Sequence, residues 1–357
     1  MADRSQDARQ DRRRLDTTAF VLGTTALTLV LLSAVALLTI VRTPPALRFF
    51  DPRRSPSFDE GWLVSTMDYA LSSSERNDVI FVGDSECRTA IDPIRFESLT
   101  RLRGFNLGLV GDLGPEVRLD LASAYLSKHP APRLMVLCVS PIGMERDVPA
   151  QWQMLRDRCI ECFGFEQRSV QAFEERVGYF LRQGTLLAWD RAVSRLFGNQ
   201  RDLRDSPFLG TEKETYRGFD SSTRSARGFM PLWGNKYDAR LHHADDLVLI
   251  DSVWDAGVRR LAEKCNRVGL PLMIRLAPIP AEGSETLNFD KLERWLQEMR
   301  RSYRNVIIGT DHEILRYPPE LFWDGTHPNA AGAEKFTETL AAEVRGAIDP
   351  PGKTKAK

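Results

Sequence analysis

Val79-Ile80-Phe81-Val82-Gly83-Asp84-Ser85 decides the architecture of this chain. An unbroken β-branched and aromatic run, with no polar alternation, reads as a strand buried on both faces, as the strands of a parallel sheet are. A Gly-Asp-Ser turn follows, and the residues beyond it have helical character. Ser85 is therefore expected at the carboxyl end of a strand, where open α/β sheets carry their chemistry. Asp84 is expected to brace the turn rather than to act chemically.

Working outward, similar strand patterns recur at Gly104 to Leu107, Arg133 to Val139, Leu272 to Leu276 and Asn305 to Ile308. Amphipathic stretches lie between and after them, at Pro115 to Lys128, Leu247 to Val268, Phe289 to Tyr303 and Ala330 to Ala347. The alternation predicts an α/β fold, a three-layer α/β/α domain with a five-stranded parallel sheet, over residues 59–348. Residues 143–245 break the rhythm, since ordinary connections run to about 2 to 6 residues. This stretch is read as a helical and irregular insertion, helical at Gln167 to Phe197, placed to roof a site. Asp349-Pro350-Pro351-Gly352 ends the last helix, and residues 349–357 form a tail.

A second chemical word stands far along the chain, Asp324-Gly325-Thr326-His327-Pro328. The spacing allows the Asp324 carboxylate to hold the His327 Nδ1–H while Nε2 faces outward. A histidine so held can take a proton from Ser85. The strand context of the serine and this distant partner support one another, because a Gly-Asp-Ser triplet alone is common in turns.

Together these words resemble the SGNH, or GDSL-type, hydrolase superfamily, whose fold is flavodoxin-like. Gly83-Asp84-Ser85 is similar to its first block, Gly108 in Gly104-Phe105-Asn106-Leu107-Gly108 to its second, and Asp324 with His327 to its last. The third block departs from the pattern: after the strand ending near Val139 the chain reads Ser140-Pro141-Ile142-Gly143-Met144 where G-x-N-D is usual. The resemblance implies Ser85, His327 and Asp324 as catalytic residues, with the backbone N–H groups of Ser85 and Gly108 as the oxyanion hole. Asn106, Arg88 or Ser140 would stand in for the missing asparagine, whose loss elsewhere costs about 100- to 1000-fold in rate. Members anchored in bacterial envelopes resemble this chain in lacking that asparagine, and they move or remove acyl groups on exopolysaccharides, teichoic acids and peptidoglycan.

Thr17 to Val41 contains no charged residue and is rich in Leu, Val, Ala and Ile. A helix of that length, at about 1.5 Å per residue, crosses a hydrocarbon core of roughly 30 Å with tilt to spare. Residues 17–41 are expected to span the membrane once, after a cytoplasmic tail at 1–16 and before a Pro- and Arg-rich linker at 42–58. A cleaved signal peptide is the alternative, but its apolar region is usually about 7 to 15 residues. Arginines flank the segment on both sides. The expected orientation therefore rests on the short tail before a large domain, which suits a signal anchor that carries the domain outside the cytoplasm.

Basic and acidic residues balance at 49 each, which speaks against nucleic acid as a partner. Of the five cysteines, Cys159 and Cys162 form a C-x-x-C with no second pair to complete a zinc site, leaving a local disulfide or idle thiols. Cys138 reads as a core residue, and Cys87 only as a neighbour of the serine. His129, His312 and His242-His243 lack spaced acidic partners, so neither a metal nor another cofactor is expected. Trp233, Tyr237, Phe322 and above all Trp323 are candidates to line a sugar cleft, and Arg275 to reach its mouth.

The expectation from sequence is a membrane-anchored serine esterase or O-acyltransferase acting on acylated carbohydrate of the cell envelope. A non-catalytic protein of the same fold, binding polysaccharide or assisting envelope assembly, is the rival. A lipid or thioester hydrolase is a third reading, separable by a preference for long acyl chains.

Overall fold

The computed structural model describes residues 21, 23–33, 58–109, 114–141, 216–237, 250, 252–284, 287–309 and 314–348. Gly143 and most of the expected insertion lie outside these residues, as do Cys159, Cys162, His242, His243, His312, the 42–57 linker and the terminal tail. Contacts divide the chain into two compact units, residues 1–51 with 167–193 and residues 52–166 with 194–357.

In the first unit the described residues, 21 and 23–33, are helical. Thr25 and Thr28 return their hydroxyls to the carbonyls of Val21 and Thr24 at 2.8 Å, so these side chains need no outside partner. No helix among the described residues is long and apolar enough to cross a membrane. The rest of the apolar run from Thr17 to Val41 lies outside them.

The second unit is built on a parallel five-stranded sheet. Its strands are β1 (Val79–Gly83), β2 (Gly104–Asn106), β3 (Leu134–Val139), β4 (Leu272–Leu276) and β6 (Val306–Ile308), in the order β2-β1-β3-β4-β6. All five fall where the buried apolar runs predict them. β5 (Ile279–Pro280) and β7 (Arg316–Tyr317) form a separate two-stranded parallel ribbon that the sequence does not announce. Strands this short carry too few residues for a period of two to show.

Alternate residues of each strand enter opposite cores, which makes the domain three-layered. Ile80, Val82, Met135, Leu137, Leu272 and Ile274 face one core. Helices α1 (Phe58–Ser72), α4 (Gly114–Lys128), α6 (Ser252–Arg267) and α7 (Asp290–Ser302) supply its other side. Val79, Phe81, Leu134, Val136 and Met273 face the second core, closed by α2 (Ser85–Ala90), α3 (Pro93–Thr100) and α8 (Ala330–Ile348). Apolar burial on both faces, at about 25 cal/mol per Å², is what holds the sheet between its helices. Helix α5 (Tyr216–Ser225) lies in the stretch read as an insertion and packs on α1, with Ser65 Oγ and Thr223 Oγ1 2.8 Å apart and buried between the two helices.

The strand order places a topological switch point between β1 and β3, because the chain leaves β1 towards β2 and returns to build the other half. Ligands of open α/β sheets bind in the crevice at the carboxyl ends of the strands there. β1 ends at Gly83, where a Cβ would lie 1.7 Å from the Cys138 carbonyl oxygen, so only glycine lets β1 and β3 close at this point.

Candidate functional site

Ser85 opens α2 directly above that closure. Asp84 is the N-cap of α2: its Oδ1 accepts the Cys87 N–H at 3.1 Å, and its Oδ2 accepts the Ser140 N–H at 2.8 Å. One buried carboxylate thus ties the first turn of α2 to the end of β3, with the Arg118 guanidinium of α4 3.6 Å away. Burial and the neighbouring Glu86 push the Asp84 carboxyl up to about 7, against the pull of Arg118 and the two N–H donors. Bracing the turn is the role the sequence assigns to this residue.

His327 arrives from the other end of the chain on the loop before α8. The Asp324 carboxylate accepts the N–H groups of Thr326 and His327 at 2.9 and 2.7 Å, which folds the loop into a tight bend around it. The same carboxylate holds His327 Nδ1 at 2.8 Å through Oδ2 and 3.0 Å through Oδ1. Nε2 then stands 2.9 Å from Ser85 Oγ, joining residues 242 positions apart. The three side chains named from sequence therefore meet, with the imidazole a quarter exposed and the serine reachable from solvent.

A further carboxylate belongs to the cluster. Ser85 Oγ donates to Glu86 Oε2 at 3.0 Å, and Glu86 is almost entirely buried. Burial alone would pull the His327 pKa down, but Asp324, Glu86 and Asp84 more than offset it and raise it to about 9. Asp324 is raised by burial and lowered further by His327 and the two N–H donors, ending below the usual range. Glu86 was open to sequence reading only as an acid in the first turn of a helix, where carboxylates are common for reasons of the helix dipole.

The remaining candidates sit elsewhere in the arrangement. Asn106 is fully buried, its Nδ2 donating to the carbonyls of Cys87 and Ile91 at 2.9 and 3.1 Å. Its Oδ1 accepts the Gly108 N–H at 2.9 Å. Asn106 is thus a clamp between β2 and α2 rather than a substrate contact, and the Gly108 N–H is committed to it instead of facing an oxyanion. Arg88 is buried, donates to Thr66 Oγ1 at 2.9 Å and lies 4.0 Å over the Trp62 ring, which removes it from the mouth of the site. Ser140 is likewise buried and contributes its N–H to Asp84. The Ser85 N–H lies in the first turn of α2.

Arg275 does not reach the mouth either. It is buried in an ion pair with Glu343 of α8 at 3.1 Å, over the face of Phe336. Phe322 is fully buried, and Tyr237 sends its hydroxyl to the Glu282 carbonyl at 2.6 Å. Trp323 is partly exposed beside Asp324, with Lys236 Nζ 5.2 Å from its ring, and Trp233 is 72% exposed.

Residues 226–237, within the stretch read as a roof, form a strap over the carboxyl ends of the strands. The strap takes the Asn106 N–H on the Arg227 carbonyl at 2.9 Å and gives the Met230 N–H to Arg88 at 3.3 Å. It accepts the Ala330 N–H on Leu232 at 2.8 Å and donates the Lys236 N–H to Trp323 at 2.5 Å. It therefore joins β2, α2 and the histidine loop, carrying Trp233 on its exposed edge. Among the described residues no group of His, Cys, Asp and Glu is placed to hold a metal ion. Cys87, Cys138 and Cys265 are free and buried, with burial and the neighbouring Cys138 raising the Cys87 thiol.

No family model matches the chain, and no curated protein matches it. A solved structure described as a candidate platelet activating factor from Streptococcus pneumonia is similar at 13% identity, over 80% of this chain and 91% of that chain. Its TM-score is 0.36, a likeness too slight to decide fold or activity.

Proposed function

We propose that the chain is a membrane-anchored serine esterase or O-acyltransferase that acts on acylated carbohydrate of the cell envelope. The observation that supports it is the continuous relay from Ser85 Oγ through the His327 ring to Asp324, with contacts of 2.9 and 2.8 Å. In this reading neutral His327 takes the serine proton at Nε2, and Oγ attacks the ester carbonyl. The Ser85 N–H meets the developing oxyanion, at the positive end of α2. The imidazolium, steadied by Asp324, returns its proton to the leaving alcohol. Water or a sugar hydroxyl then releases the acyl group by the same steps in reverse. Trp323, beside Asp324, offers a partly exposed aromatic face on which a sugar ring stacks, and Trp233 offers a second, exposed one on the strap.

A second reading, a binding protein of the same fold without turnover, is favoured by the oxyanion side of the site. Both the Gly108 N–H and the Asn106 amide are spent on internal partners. One experiment separates the two. Release of p-nitrophenol from a short acyl ester, and labelling by a fluorophosphonate, are measured for the native chain and for Ser85→Ala. The enzyme reading expects both in the native chain and neither in the variant, with an unchanged circular dichroism spectrum. Labelling and turnover that persist without Ser85 remove the serine mechanism, and their absence from the native chain leaves the binding reading.

A further inference from the structure

The Ser85 hydroxyl carries one proton and faces two acceptors, Glu86 Oε2 at 3.0 Å and His327 Nε2 at 2.9 Å. Asp324 can only accept, so His327 Nδ1 keeps its hydrogen towards that carboxylate. If the serine proton points to His327, the Glu86 oxygen is left against the lone pairs of Oγ in a nearly dry place. If it points to Glu86, Nε2 must supply a hydrogen to Oγ, and the ring then carries a proton on both nitrogens. The second arrangement satisfies every atom, and the anions around it, Asp324, Glu86 and Asp84, favour the extra positive charge.

Resting on the serine reading above, we propose that Glu86 is a positioning residue of the site. It holds the Ser85 proton at rest and keeps His327 doubly protonated, so that the pair becomes competent as the medium turns alkaline. Activation is the loss of one proton from His327 Nε2 to solvent base. The Ser85 hydroxyl then turns its hydrogen from Glu86 to the freed nitrogen, and Oγ is ready to attack. No other bond changes. The groups that face this cluster are Asp84 and Glu86 at the start of α2, Asp324 and Thr326 on the histidine loop, and Arg118 of α4 behind Asp84. Thr326 Oγ1 lies 3.2 Å from Nδ1, and Arg118 draws on Asp84 at 3.6 Å. Removing the Glu86 charge leaves Asp324 in place, so the ring keeps its orientation while its hold on the second proton weakens.

The test follows the His327 ring directly in the full chain held in detergent micelles, with isotope-labelled histidine and His327→Ala to assign its signal. The native ring is expected to titrate near pH 9, and in Glu86→Gln about one pH unit or more lower. That displacement is about a tenfold rise in neutral ring at pH 7.5, and fluorophosphonate labelling of Ser85 at that pH should rise by a similar factor. A native midpoint at or below that of an exposed histidine, or one that Glu86→Gln leaves in place, overturns the proposal. Should Glu86→Gln fail to fold, Glu86→Asp, whose carboxylate falls short of Oγ, is expected to move the midpoint the same way, and an unmoved one counts against the proposal equally. A midpoint that moves while neither protein labels would uphold the proton arrangement and remove the nucleophile, so the two claims fail separately.

Discussion

Asp324 does three things with one carboxylate: it shapes the loop through two N–H groups, orients the imidazole, and supplies the nearest negative charge to it. Asp324→Asn preserves an acceptor for the two N–H groups but offers Nδ1 a neutral amide that can donate as well as accept, so the ring is no longer held in the tautomer that leaves Nε2 free. A fall of about 10⁴-fold in acylation rate is expected, read by stopped-time phosphonate labelling, with little change in unfolding midpoint. The same charges also leave a mark on stability. His327 is raised in the folded chain to about 9 from an ordinary 6.5. Its contribution is therefore complete below the unfolded value and is lost as pH climbs through the folded one. Asp84, raised from 3.8 to about 7, works in an earlier window: its neutral form suits the fold, and stability declines as it ionises. Urea midpoints are thus expected to fall between pH 6.5 and 9, and His327→Gln to flatten that part of the curve.

The site is held together by elements that reach across chain distance, and Asn106 shows how. Its side chain ties β2 to α2 through two bonds, to the Cys87 carbonyl and to that of Ile91 just past the helix, and holds the turn after β2 through a third, from the Gly108 N–H. Asn106→Ala should cost about 3 kcal/mol, at roughly 1 kcal/mol per bond with buried groups left unpaired, measured as a lower urea midpoint with unchanged slope. Gly228 meets the same residue from the strap: its φ is +84°, and a Cβ there would lie 1.8 Å from the Asn106 carbonyl oxygen. Gly228→Ala is expected to lift the strap from β2, seen as faster proteolytic cutting within residues 226–237 while the sheet stays protected. These contacts also mark what could be read from the chain beforehand. The five strands were legible because strands buried on both faces are written as continuous apolar runs, and Ser85 because it follows one. Asp324 and His327 were legible because their pairing is local in sequence. The tasks of Asn106 and Arg88 were not, since each is set by a partner from another element: the Cys87 and Ile91 carbonyls and the Trp62 ring. Arg275 looked like a strand-end residue near the mouth, yet Glu343, on α8, claims it.

At the scale of the whole molecule the open claim is the anchor. The described helical residues of the N-terminal unit expose Val21, Leu27, Leu29, Val30, Leu31 and Leu32, each more than half accessible. An α/β domain that has already closed two cores of its own gains nothing from carrying such a surface in water, where each exposed aliphatic side chain forgoes about 1.5 to 3 kcal/mol of burial. A hydrocarbon environment is the chemistry that would accept it, and the surrounding apolar run from Thr17 to Val41 has the length for a crossing. If residues 17–41 anchor the chain, the full protein should sediment with membranes, resist extraction by carbonate and salt, and dissolve in mild detergent. Replacing Leu29 and Leu31 together by Lys should shift it towards the soluble fraction, because each charge near a helix centre costs about 2.5 to 3.5 kcal/mol on insertion. Added protease should then reach residues 226–237 in intact cells stripped of their outer layers if the domain faces outward. Protection of the strap until the membrane is opened would put the domain on the cytoplasmic side and with it exclude envelope carbohydrate as the substrate. A cleaved leader predicts something different again, a mature chain that begins beyond Val41, which N-terminal sequencing of the membrane-bound and released material distinguishes directly.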